Sequence, residues 1–169
     1  FAGCTSLTWL KLMNNRIGQL SSNTFANNPG LTYLDLNNVG LNEVPQGLFA
    51  PLVNLQMLEL RNNFVVSLPD DVFNSQGNLY TLFMDNCGLS TLNPSWFAPL
   101  RSLEVLNLYY NSFTVIAENT FENLSNLIIL DISYSLGGTP TIHSNAFRAL
   151  TNLYQINLSN MQLQGIDAG

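Results

Sequence analysis

The stretch "LQMLELRNNFVVSLPDDVFNSQGN", residues 55–78, decides the fold. It opens with Leu55, Leu58 and Leu60 in the pattern L-x-x-L-x-L, places Asn63 ninth, and continues through Leu68–Pro69 to Phe73. Apolar residues at alternate positions over so short a run suit a brief strand with one face buried. One such unit cannot bury its own leucines, so copies must stack beside it. The copies are present. Leu7, Leu31, Leu55, Leu79, Leu103 and Leu127 are each 24 residues apart, and Leu153 follows after 26. The second pattern position is Leu10, Leu34, Leu58, Leu82, Leu106, Leu130 and Ile156, and the third is Leu12, Leu36, Leu60, Met84, Leu108, Ile132 and Leu158. A phenylalanine recurs later in each unit: Phe25, Phe49, Phe73, Phe97, Phe121 and Phe147, with Phe1 at the same offset ahead of Leu7.

The pattern resembles the leucine-rich repeat, and within it the 24-residue class of Toll-like receptor and lamprey variable lymphocyte receptor ectodomains. The resemblance covers essentially the whole chain. It implies an α/β leucine-rich repeat solenoid: a right-handed curved stack with a parallel β-sheet on the concave face and mostly loops or short 3-10 turns on the convex face. It also implies an extracellular or cell-surface location. Pro45, Pro51, Pro69 and Pro99 fall outside the strands, where no ladder N–H is required. The expected domain is a single solenoid fragment over 1–169, with repeats starting at 7, 31, 55, 79, 103, 127 and 153, uncapped at both ends and part of a longer chain.

Composition narrows the partners. Apolar residues make up 46% and charged residues 9%, against about 25% charged in an average domain, so disorder is not expected. The net charge of −6 leaves no basic stripe for nucleic acid or for an anionic membrane surface. No run reaches the ~18 consecutive apolar residues of a membrane span.

A slower rhythm overlies the repeat. Asn15, Asn63 and Asn111 hold the ninth position, whereas Val39 and Cys87 hold it in the units between. The units 31–54 and 79–102 also share "GL" and "FAPL", which makes a 48-residue super-repeat. A buried asparagine there satisfies backbone groups of adjoining turns. Ser135 and Met161 depart from it, so their turns need other partners, such as water.

The sequence offers little for catalysis or metal binding. Cys4 and Cys87 fall four strands apart, very roughly 15–20 Å, too far for a disulfide, and both are expected as free, buried thiols. His143, the single histidine, is expected on the outer surface, with no triad around it. A zinc site needs three or four clustered ligands, and "GG" at 137–138 lacks the rest of a phosphate loop. No cofactor, metal or enzymatic activity is expected. Two glycosylation sequons occur. Asn123 lies on the loop side and is a candidate acceptor, while Asn157 points out of the inner sheet.

The same register lists the displayed face. Positions 3, 5 and 7 of each unit point outward, and position 8, at the strand exit, is exposed too. Position 3 carries apolar residues from Trp9 to Ile129. In repeats four to six the outward columns bring together Phe83, Tyr109, Tyr110 and Tyr134 beside Asp85, Asn107 and Asp131. Three readings stay open. Strand propensity alone favours such residues; aromatics on an exposed sheet anchor a protein or peptide partner; tyrosine with Asn and Asp can bind a glycan. The insertion in "SYSLGGTPTI", residues 133–142, is expected to bulge as a small loop beside Tyr110 and Tyr134. The function expected is recognition of a protein through the concave face. The alternative is a structural or adhesive component of an extracellular assembly, sheath or filament, packed against neighbouring copies or further repeats.

Overall fold

The computed structural model describes residues 1–164, so residues 165–169 of the expected solenoid lie outside the described residues. In chain order the elements are β1 (Trp9–Lys11), β2 (Tyr33–Asp35), β3 (Met57–Glu59), β4 (Thr81–Phe83), α1 (Pro94–Phe97), β5 (Val105–Asn107), β6 (Val115–Ile116), β7 (Ile129–Asp131), β8 (Thr141–Ile142) and β9 (Gln155–Asn157). Seven of the strands form one parallel sheet in the order β1-β2-β3-β4-β5-β7-β9. Its register aligns Leu10, Leu34, Leu58, Leu82, Leu106, Leu130 and Ile156 in one row. Each strand has only three residues and no independent stability. Stacking removes the leucines from water: Leu34, Leu58, Leu82, Leu106 and Leu130 are fully buried, a gain of about 1.5–3 kcal/mol each. The chain is a curved solenoid with the sheet inside and almost no helix.

On the far side each unit returns through consecutive tight turns. In the first unit Thr24 N–H donates to Ser21, Ala26 to Asn23, Asn28 to Phe25 and Leu31 to Asn28. α1 is the only helix among the described residues, started by Pro94 and capped by Asn93, whose side chain accepts from Ser95 N–H at 3.0 Å. The recurrent phenylalanines fill the core from behind, with Phe49–Phe73 and Phe121–Phe147 stacked at 6.2 Å between centroids.

Buried amides hold successive turns together. The Asn63 side chain donates to the Leu36 and Leu60 carbonyls at 2.9 and 2.7 Å. Its oxygen accepts from Val39 N–H and Leu41 N–H at 3.2 and 3.0 Å. Asn111 does the same for Met84, Leu108, Cys87 and Leu89. One asparagine therefore serves its own turn and the one before it. This is why Val39 and Cys87 are tolerated at the same position in alternate turns. The 48-residue rhythm is the reach of one amide. Ser135 uses a protein partner: its hydroxyl donates to the Phe113 carbonyl at 3.0 Å.

A second set of buried amides lies on the convex side. Asn28 donates to the Phe1 and Cys4 carbonyls at 3.2 and 2.9 Å, and Gln76 donates to Phe49 and Leu52 at 2.7 and 3.2 Å. Both side chains are fully buried. They are 48 residues apart and replace the leucine found at this position in other units.

One expectation changes. Both thiols are free, but Cys4 is exposed and only Cys87 is buried. Cys4 lies before β1, where its carbonyl accepts from the Asn28 side chain at 2.9 Å. The Cys87 thiol donates to the Leu60 carbonyl at 3.1 Å, and burial pushes its pKa up to about 12. The insertion runs through turns and bends over residues 136–139, anchored to the preceding unit. Leu136 N–H donates to the Asn111 carbonyl at 2.7 Å, and β8 pairs with β6 in a separate two-stranded sheet. Gly137 sits so close to the Ser112 carbonyl that a Cβ there would clash with its oxygen.

Replacing Asn63 by alanine strips partners from buried backbone groups of two turns, whereas Asn15 is exposed. The expected cost is at least about 3 kcal/mol for Asn63→Ala and under about 1 kcal/mol for Asn15→Ala. Urea unfolding midpoints measure both, and equal losses would contradict the two-turn role.

Candidate functional site

Position 8 of every unit leaves the strand through the left-handed region. Asn14, Asn38, Asn62, Asn86, Tyr110, Tyr134 and Asn160 have φ between 51° and 60°. The backbone must turn there while its N–H still bonds the next unit: Asn86 N–H donates to Tyr109, Tyr110 to Ser133, and Tyr134 to Ser159, all within 2.8–3.0 Å. Asparagine tolerates this conformation, while a bulky residue does not and costs about 1–2 kcal/mol. Five units use asparagine. The side chains of Asn38 and Asn86 donate to Asn14 and Asn62 at 3.0 and 2.8 Å. Tyr110 and Tyr134 are the two exceptions.

The turn that strains these tyrosines also displays them. Tyr110 and Tyr134 are 38% and 41% exposed. Tyr109, at outward position 7, is half-buried between them. Its ring lies 5.7 Å from Tyr110 and 5.2 Å edge-on from Tyr134, and Tyr110 and Tyr134 are 6.4 Å apart. The neighbouring rings are thus one aromatic cluster at the strand exits of the fifth and sixth units.

The polar residues of the expected site have structural duties. Asn107 Oδ1 accepts from Tyr109 N–H at 2.9 Å. Asp131 Oδ1 accepts from Ser133 N–H at 3.0 Å and from its hydroxyl at 2.6 Å, and Oδ2 accepts from Asn157 at 3.0 Å. Asp35 and Asn157 bond Asn37 N–H and Ser159 N–H in the same way. A short polar side chain at position 5 therefore closes an Asx-turn over the strand end. Phe83, Asn107 and Asp131 lie in one row across β4, β5 and β7.

Phe83 and Asp85 form a separate group around Arg61, which the columns contain but the expected site omitted. The Arg61 guanidinium lies 3.8 Å over the Phe83 ring. Its Nε approaches Asp85 Oδ1 at 3.2 Å without hydrogen-bond alignment. Burial raises the Asp85 pKa, opposed by the Arg61 charge and reinforced by Asp131 and Glu59. Further along, Trp9 stacks on Tyr33 at 3.9 Å, and the Tyr33 hydroxyl donates to Glu59 at 2.6 Å. Burial first, then that bond, raises the Tyr33 pKa. Outward position does not guarantee exposure: Tyr33, Asp35, Asn37, Thr81 and Ser133 are buried, covered by neighbouring side chains on the inner face. The position-3 column is consequently displayed only in part, with Trp9 exposed and Met57, Val105 and Ile129 half-buried.

His143 is exposed on the convex side, where its Nε2 lies 4.0 Å from Glu118 and its Nδ1 accepts from Asn145 N–H. Among the described residues no three His, Cys, Asp or Glu side chains gather as metal ligands. No helix among them is long and apolar enough to cross a membrane. Of the two sequons, Asn123 is exposed in a convex turn, while Asn157 is half-buried with its amide engaged by Asp131 and Ser159.

Stacked strands with such an inner face define a solenoid whose side chains are read in columns. Residues 5–65, 54–113 and 77–136 match the family model described as leucine rich repeat. The chain belongs to the leucine rich repeat family, whose solenoids are typically interaction modules. No curated protein sequence matches it. Among solved structures it is similar to the TLR13–ssRNA13 complex, at 28% identity and a TM-score of 0.83, covering 92% of this chain and 22% of that one. The Drosophila Toll–Spatzle complex shares the fold at 21% identity and a TM-score of 0.71, covering 91% of this chain and 23% of that one. The APL1 leucine-rich repeat domain matches at 25% identity and a TM-score of 0.73, covering 78% and 34%. The chain thus spans less than a quarter of the first two proteins.

Asp85 gives the face a pH dependence. Its folded pKa is raised, so the folded state binds the proton more readily than the unfolded chain. That contribution to stability is present below the ordinary carboxylate pKa and is lost as pH rises through the raised value. Asp85→Asn lacks it. The parent should lose stability relative to Asp85→Asn as the pH rises above the ordinary carboxylate range, measured by urea unfolding at each pH. A constant difference would refute the raised pKa.

Proposed function

We propose that this chain recognises a protein or peptide partner through the concave face. Tyr109, Tyr110 and Tyr134 are the anchors, and Phe83, Asp85, Asn107 and Asp131 form the surrounding floor. The observation that carries this reading is the backbone strain at Tyr110 and Tyr134. Five other units put asparagine there, the residue that holds this conformation with less strain than tyrosine. Strained residues of this kind concentrate where a side chain serves binding. Tyrosine also offers a large contact area and a hydroxyl at low entropic cost.

Spatzle and ssRNA in the similar structures mean that this fold accommodates a protein or a nucleic acid. The charge of this chain favours protein. Concave positions 3, 5, 7 and 8 of the units starting at 79, 103, 127 and 153 contain no lysine or arginine, and phosphate recognition depends on them. An extracellular or cell-surface setting accords with the resemblance to receptor ectodomains. It makes Asn123, exposed and clear of the concave face, the expected glycan acceptor.

Tyr134→Asn separates display from folding. Relief of about 1–2 kcal/mol of strain offsets about 0.5–1.5 kcal/mol of lost aromatic contact. The melting temperature should equal or exceed the parent's while partner affinity falls at least about tenfold. A variant that melts lower yet binds normally would sink the reading. When the chain is secreted from eukaryotic cells, glycosidase treatment should lower its mass, and Asn123→Gln should abolish that shift. A mass unaffected by treatment would remove the acceptor assignment.

A further inference from the structure

The inner face covers its aromatic rings with cations in two places. Lys11 Nζ lies 5.6 Å from the Trp9 ring and 5.4 Å from the Tyr33 ring, with Asp35 directly across the strand pair. Arg61 lies 3.8 Å over Phe83 and 3.2 Å from Asp85. Each site unites aromatic, carboxylate and cation, because the ring face and the carboxylate both attract positive charge. The third aromatic group, Tyr109, Tyr110 and Tyr134, has the rings and, three residues before Tyr134 in the same unit, Asp131, but no lysine or arginine at the outward positions of its units. The donors to Asp131 are Ser133 and Asn157, both neutral. Arg61 is engaged one group away, and Arg148 faces Glu118 at 3.5 Å on the convex side.

We infer that the tyrosine group receives an arginine or lysine side chain from a basic segment of the partner protein. The cation would sit over Tyr109 or Tyr134 and face Asp131, completing the arrangement that Arg61 makes with Phe83 and Asp85. Charge complementarity supports this occupant. The chain carries −6 overall, and Asp131 and Asp85 are the charged residues at the outward positions of the fourth to seventh units. The field of Asp131 already reaches Asp85. Partial burial strengthens attraction to an incoming cation relative to open solvent.

This inference rests on the concave-face reading above, and one experiment separates their failures. A random peptide library displayed on phage is selected on the parent protein and counter-selected on Tyr134→Asn, with thermal melts verifying that the variant is folded. Enriched peptides should carry arginine or lysine. They should bind Tyr134→Asn and Asp131→Asn roughly three- to thirtyfold more weakly than the parent. Their binding to the parent should weaken with added salt. Tyr134-dependent peptides that are acidic or uncharged would overturn the cation inference and leave the concave-face reading standing. A selection yielding no Tyr134-dependent peptide would overturn both.

Discussion

A single buried amide spanning two turns is the constraint on which the solenoid depends. Three-residue strands provide too few ladder bonds to satisfy the loops that follow them. Asn63 and Asn111 fill this gap by donating to two carbonyls and accepting from two N–H groups each. A buried amide with every bond made gives rigidity without an orphaned polar group. Asn28 and Gln76 provide a second clamp on the convex side. The units starting at 31 and 55 are clamped at both edges, by Asn63 and Gln76, which keeps their leucines in register.

That rigidity allows strain to be carried at the strand exits. A tyrosine in the left-handed region would shift the backbone of a loose turn toward a cheaper conformation. Here position 8 is held from both sides, because its N–H bonds the next unit and position 5 closes an Asx-turn over the strand end. The paired asparagines 14–38 and 62–86 show the inexpensive use of this geometry. The pair Tyr110–Tyr134 carries the same conformation with bulky side chains, at φ 60° and 56°.

Much of this was legible in the one-dimensional pattern. The 24-residue spacing located the sheet, the leucine rows, the phenylalanines behind them and the asparagine clamp. It also located every concave position, including Tyr109, Tyr110 and Tyr134. Other features escaped it for physical reasons. Asn28 and Gln76 stand where leucine is expected, and only their 48-residue separation hinted at a shared task. Position 5 reads as a polar surface residue, yet its role is local backbone bonding. Tyr33 and Asp35 point outward and are still buried, since exposure depends on what Trp9 and Glu59 do above them.

The sequence by itself determined the architecture, because a repeat that buries its leucines only by stacking permits one arrangement. It determined equally which residues face inward, since strand alternation is a local property. The tertiary structure alone decided which outward residues are accessible, which carboxylates are already spent on backbone, and which rings are already covered by a cation. Those outcomes depend on side chains 24 residues apart meeting across the stack, at distances that no local pattern encodes. They separate Phe83, lying under Arg61, from the tyrosine group that stands open beside it.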